Sequence, residues 1–251
     1  VILYEYPCNE RVRTLLRVEH LFGRLFFFAE EEEEVYHHQI AVATLFDLLE
    51  ICDRTDLRGS VLQDLERQRA SLTALRRHPG VDETTLDKMV ADLEKTASDL
   101  AAQGRVGQVL RDNEWLASLR GRLSVPGGSS PADIPSYYAW QIKPMEVRMK
   151  DLQQWIEPFL PLYNGLSLIL RLLRESGDPI ELEATQGAYQ EMLTGKTFQL
   201  LRVWVDPALG VFPEMSANKY VIWVRFSMQD NELKPLSVTR DISFRLSRCN
   251  F

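Results

Sequence analysis

The chain has 251 residues, with 29 lysines and arginines against 36 aspartates and glutamates, a formal net charge of −7 and 45% hydrophobic residues. These values exclude a disordered or collagen-like chain and fit one large domain or two intimate ones. An acidic total also argues against general nucleic-acid binding, which needs a strong basic field.

Three widely spaced cysteines, Cys8, Cys52 and Cys249, imply neither a disulfide framework nor a zinc site. A reducing cytosol is the expected compartment. No apolar run approaches the ~18 residues of a membrane span, so no membrane insertion is expected, and Val1 to Pro7 lacks the pattern of a secretory signal. The charge is uneven: residues 1–100 hold 12 basic and 20 acidic side chains, whereas residues 201–251 hold 7 and 5. A local basic cleft for one acidic peptide is compatible with that distribution.

In chain order, Val1-Ile-Leu-Tyr-Glu-Tyr reads as a short strand stopped by Pro7. Asn9 can cap a helix whose apolar positions Val12, Leu15, Val18, Phe22 and Leu25 recur at helical spacing. Glu30 to Glu34, five consecutive acids, read as a solvated stretch or an electrostatic docking patch. A second helix buries Ile40, Leu45, Leu48, Leu49 and Cys52. Between residues 55 and 102, Leu57, Val61, Leu65, Gln68, Leu72 and Leu75, then Leu86, Met89, Leu93, Thr96 and Leu100, step by three or four around a Pro79-Gly80 break. That spacing predicts an antiparallel hairpin of two helices, each about 20 residues and roughly 30 Å long. Such a hairpin can dimerise through Leu65, Leu72, Leu75, Leu86 and Leu93, or pack within its own domain.

Short helices are expected over 104–122, then a Gly- and Pro-rich loop over 124–135. Ser136 to Ile142 is expected to be a strand because of its aromatic content. Helices return around Met149–Ile156 and Leu162–Arg174. From Ile180 the period changes, and segments 198–205, 220–226 and 238–246 alternate as strands of an antiparallel sheet with one buried face. The predicted fold class is α+β: a helical domain over 7–135 and 143–178, and a β-sheet domain over 1–6, 137–142 and 180–251.

No catalytic motif emerges. His20, His37, His38 and His78 match no zinc spacing, and Gly104-Arg-Val-Gly107 and Pro126-Gly-Gly128 match no phosphate-binding loop. No cysteine has a histidine placed by motif, and no cofactor is implied. The informative residues are arginines that exceed local need. Near aromatics such as Tyr137, Tyr138 and Trp223, a planar guanidinium suits the bidentate capture of a peptide carboxylate. Two other readings remain open: an enzyme or small-molecule binder using a cleft between helices and sheet, and a purely structural hairpin dimer.

Five ordered stretches carry a resemblance. They are Tyr4-Glu-x-Pro-x-Asn-Glu-Arg-x-Arg-x-Leu-Leu-Arg-x-Glu19, Arg67-Gln68 ending Asp-Leu-Glu-Arg-Gln, Arg105-x-Gly-Gln-x-Leu-Arg111, Arg120-x-Arg-Leu-Ser-Val-Pro-Gly-Gly-Ser-Ser-x-Ala-Asp-Ile-Pro135 with Trp140 following, and Gly187-Ala-Tyr-Gln190. Along nearly its whole length the chain resembles the bacterial cell division protein family ZapD (Z-ring-associated protein D). The resemblance implies a non-enzymatic, cytoplasmic homodimer at mid-cell. Such a dimer would bind the C-terminal tail of the tubulin-like GTPase FtsZ through a basic cleft and bundle its filaments. Carried over by position, the tail site would include Arg225, Lys219 and Arg54. Val221 stands where the family carries a second arginine, Glu114 where it carries a basic residue, and Tyr138 where it carries a histidine. Arg111, Arg120, Arg122, Arg240 and Arg248 join the candidate set on charge and position, and Tyr138 as an apolar neighbour.

Overall fold

A computed structural model describes residues 1–30, 35–77, 80 and 82–251. The acidic run beyond Glu30, together with His78, Pro79 and Val81, lies outside the described residues. The fold is α+β, as predicted, and the chain divides into two compact units. One comprises residues 1–16 and 170–251, the other residues 17–169.

The helical unit is built from helical segments, some of whose starts are capped by a side chain. Helix α1 (Glu10–Glu30) begins where the backbone N–H of Val12 donates to Asn9 Oδ1 at 2.8 Å, and α2 (Val35–Arg54) follows. Helices α3 (Leu57–Ala74) and α4 (Glu83–Ala102) are capped by Asp56 and Asp82. They run antiparallel: Arg58 donates to Leu100 O and Ala101 O, Arg69 pairs with Glu94, and Arg76 with Asp87. The hairpin is therefore present, but its seam is spent within the chain. Leu65, Leu86 and Leu93 are fully buried, Leu72 is half-buried, and Leu75 alone of the five is largely exposed, at 39%. Gly165 of α9 (Leu160–Glu175) shows why. A Cβ there would stand 2.8 Å from Val61 Cγ1 and 3.4 Å from Leu65 and Leu100, so α9 packs closely on that end of the hairpin. Three of the five leucines expected at a dimer surface are core instead.

Short helices α5 (Gln108–Asp112) and α6 (Glu114–Leu123) precede the Gly- and Pro-rich loop. Residues 137–141, expected as a strand of the β-domain, instead belong to helix α7 (Pro135–Gln141) of the helical unit. Proline fits the first turn of a helix, where its missing N–H has no partner to lose. Tyr137 and Trp140, three apart, then share the buried face and stack with ring centroids 5.8 Å apart. Trp155 of α8 (Met145–Ile156) packs on Trp140 at 5.6 Å. An aromatic-rich run reads as strand or helix by composition; the i, i+3 pair is what the tertiary cluster uses.

The other unit holds two antiparallel sheets. Strands β1 (Ile2–Pro7), β2 (Ile180–Ala184), β4 (Leu200–Val205) and β8 (Ile242–Cys249) form one, in the order β1-β4-β8-β2. The other contains β3 (Ala188–Met192), β6 (Val221–Gln229) and β5 (Phe212–Ala217) in that order, with β7 (Pro235–Ser237) also pairing β6. Their inner faces interdigitate. Val203 and Val205 of β4, Ile222, Val224 and Phe226 of β6, and Phe244 and Leu246 of β8 belong to one buried cluster. Strands β2, β3 and β5 were not resolved by the sequence pattern. The last strand begins at Ile242 rather than 238, so Arg240 sits before it and not on its inward face.

Candidate functional site

The cations of the helical unit converge on one carboxylate. Asp53, in the last turn of α2, accepts at Oδ1 from Arg105 Nη2 (2.9 Å) and from Arg111 Nε (3.1 Å) and Nη2 (2.7 Å). Its Oδ2 accepts from Arg120 Nη1 (3.5 Å). Partial burial of Asp53 opposes ionisation, but the hydrogen bonds and charges of Arg111, Arg120 and Arg105 outweigh it and hold the carboxyl below the usual aspartate range. Arg111 also donates to the Val106 carbonyl and is only 14% exposed. Its donors are used inside the fold.

Arg54 pairs with Glu50 one turn back yet remains 75% exposed. Arg105 and Arg120 each give Asp53 a single donor, and Arg122 is exposed at the end of α6. A cavity of about 490 Å³, lined by Asp53, Arg54, Asp56, Arg58 and Arg105 among others, opens beside this cluster. Gly107 belongs to the same framework. Its φ of +69° and the 2.5 Å from a would-be Cβ to Leu49 explain a glycine there without any phosphate, as does the similar 2.9 Å approach to Phe159.

In the β unit the candidate cations divide. Arg248 lies at the inner edge between the sheets and donates Nε to Glu191 Oε2 (2.8 Å) and Nη2 to Tyr189 Oη (3.3 Å). It ties β8 to β3. Arg240 donates to the Leu209 carbonyl at 2.8 Å. Arg225 differs. It stands on the outward face of β6, opposite Ala188 of β3 and Glu214 of β5, exposed and without an ion pair among the described residues. The carboxylate opposite is engaged elsewhere: Ser227 Oγ donates to Glu214 Oε2 at 2.6 Å. Trp223, two residues along the same face, is 41% exposed.

Lys219 tops the β5–β6 turn, with Nζ 4.7 Å from the Tyr220 ring centroid. That turn is pinned by Asn218 Oδ1, which accepts from the backbone N–H groups of Tyr220 (2.8 Å) and Val221 (3.0 Å). Tyr138, on the outward side of α7 in the helical unit, is 47% exposed. Arg225 thus stands mid-strand on β6 and Lys219 on the turn that precedes it, while Arg54, Arg105 and Arg120 share one corner of the helical unit. Sequence reasoning missed Asp53. An aspartate at a helix end is commonplace, and the arginines that meet it come 52 to 67 residues later.

Residues 16–225 match the family model of the cell division protein ZapD. The chain is 61% identical over 250 residues to the cell division protein ZapD of Bordetella pertussis, covering 100% of this chain and 98% of that relative. The chain belongs to the ZapD family. ZapD of Bordetella petrii is 62% identical with full coverage of both chains, and ZapD of Janthinobacterium sp. (strain Marseille) is 47% identical over 252 residues. The family assigns this ZapD chain a role in cell division. Among its described residues no helix is long and apolar enough to cross a membrane.

Proposed function

We propose that this protein is a non-enzymatic, cytoplasmic division factor that acts at mid-cell. As a homodimer it binds the C-terminal tail of FtsZ and cross-links FtsZ filaments, stabilising the Z ring. The observation that carries the reading is Arg225: an exposed guanidinium with no ion pair among the described residues, beside an exposed indole, in a chain of the ZapD family. A free fork of donors next to an aromatic face suits an extended peptide bearing carboxylates and an apolar residue. Lys219, on the turn before the same strand, adds charge. Arg111 and Arg248 act as framework.

A tail that is disordered when free loses entropy on binding, so each site is weak alone. Two sites in a dimer raise avidity by about 10²–10⁴ because the second tail binds at high effective concentration. The test is co-sedimentation with FtsZ filaments, intact and lacking the tail, at low and moderate salt. Pelleting and bundling are expected to vanish with the tail and to weaken as salt shortens the screening length from ~10 Å at 0.1 M. Pelleting that survives tail removal would move the contact to the filament body and void this site.

A further inference from the structure

Glu214 of β5 has two partners within reach on β6. Arg225 stands directly opposite it in the strand register, where Cβ atoms of antiparallel strands come within ~4.5–5.5 Å. Ser227, two residues further along the same strand, is the diagonal neighbour, and its hydroxyl donates to Glu214 Oε2 at 2.6 Å. We infer that Ser227 is a positioning residue for the Arg225 site: its hydroxyl holds Glu214 off the guanidinium and so keeps Arg225 open to a carboxylate of an acidic peptide. The inference rests on the tail-binding reading and adds the residue that decides whether its central cation is available.

The choice Glu214 makes has a physical reason. Ser227 lies between Phe212 of β5 and Ser237 of β7 and is 2% exposed, so its hydroxyl cannot turn to bulk water instead. A buried hydroxyl left without a partner carries a desolvation penalty, and a carboxylate acceptor makes the bond charge-assisted. Arg225 is exposed. Its guanidinium is hydrated when unpaired, and an ion pair at such a position gains little. Turning Glu214 to Arg225 would exchange a strong bond for a weak one, so the carboxylate stays with the serine. On its other side Arg225 meets Ala188 of β3, and Trp223 stands between Gln190 and Ser216. Among the residues directly opposite Arg225 and Trp223, Glu214 is therefore the sole carboxylate, and one hydroxyl suffices to withhold it. Ser227, being buried, does not touch the peptide; it acts through Glu214.

The test pairs a binding assay with a chemical probe of Arg225. In the full chain, affinity for a synthetic peptide of the FtsZ C-terminal tail is measured at low salt for wild type, Ser227→Ala, Glu214→Gln and the double variant. Under the same conditions, limited phenylglyoxal modification of Arg225 is followed by mass spectrometry. Ser227→Ala is expected to weaken peptide binding about fivefold and to slow modification of Arg225 about threefold, because the released carboxylate turns to Arg225. Glu214→Gln in that background should restore both, whereas Glu214→Gln alone should leave the modification rate unchanged. A merely structural role for Ser227 would not be rescued by Glu214→Gln. Unrescued loss therefore overturns the inference, as does an unchanged Arg225 rate in Ser227→Ala. If the peptide does not bind wild type, the tail reading falls, and the modification rates still decide whether Ser227 holds Glu214 off Arg225. If Ser227→Ala fails to fold, wild type and Glu214→Gln decide. Equal Arg225 rates uphold the inference; a faster rate in Glu214→Gln shows that Glu214 already pairs with Arg225 and overturns it.

Discussion

Arginines meet carboxylates differently in the helical unit and on the outward face of the sheet. In the helical unit, Arg105, Arg111 and Arg120 meet on Asp53, so cations distant in sequence become one framework with much of its charge cancelled. On the outward face of the sheet, Arg225 faces Glu214 across the strands, but that carboxylate takes the Ser227 hydroxyl and the guanidinium stays exposed without an ion pair among the described residues. Arg248, in the same sheet unit, resembles Arg111: it is 15% exposed and engaged by Glu191. What separates the paired from the unpaired cations is therefore the local carboxylate inventory and the direction the side chain faces, not the unit.

The largest effect expected is on binding. Arg225→Glu should lower affinity for the FtsZ tail peptide about 100-fold, roughly 2.7 kcal/mol, while urea unfolding stays within about 0.5 kcal/mol of wild type. Equal bundling by this variant and wild type under matched salt would erase the distinction drawn for Arg225. Arg111→Ala should do the reverse. Loss of its charge-assisted hydrogen bonds should lower stability by about 1.5–3 kcal/mol, with peptide affinity nearly unchanged once the fraction folded is accounted for. Arg248→Met should cost somewhat less, about 1–2 kcal/mol, because Glu191 retains water access. A loss of peptide binding without any loss of stability would instead return Arg248 to the site.

Asp53 sharpens the comparison through pH. Its folded pKa lies below its unfolded value near ~4. The stabilisation it brings is therefore present above that unfolded value and is lost as pH falls through the folded one. Asp53→Asn should lower stability at neutral pH and flatten the acid limb of the stability profile below about pH 4; an unchanged acid limb would mean the carboxylate is not the hub. The smallest effect is expected at Arg54, whose Glu50 pair is exposed. Arg54→Ala should change stability by no more than about 0.5 kcal/mol, with any larger consequence confined to peptide affinity and visible only at low salt.

Much of the architecture was legible because periodicity is local. The 3–4 spacing of Leu57 to Leu100 gave a helical hairpin, and the alternation of 220–226 gave a strand, since each depends only on which side of its own backbone a residue falls. The resemblance likewise lay in ordered short motifs and pointed to the family that comparison shows. The run 136–142 failed because tyrosine and tryptophan suit either state; Pro135 and the packing of Tyr137 and Trp140 against Trp155 decide for helix. Strands β2, β3 and β5 were missed because they alternate weakly and owe their existence to partners on β8 and β6.

By itself, then, the sequence determined the α+β class, most element positions and the family. It also supplied a set of arginines, without ranking them. Tertiary structure alone decided that Leu65, Leu86 and Leu93 are core, that Arg111 and Arg248 are tied inside the fold, and that Arg225 is left exposed without an ion pair among the described residues. The reason is physical. A helix or strand pattern is written within a few residues, whereas burial and ion pairing join residues such as Asp53 and Arg120, or Glu191 and Arg248, that are brought together only when the chain has folded.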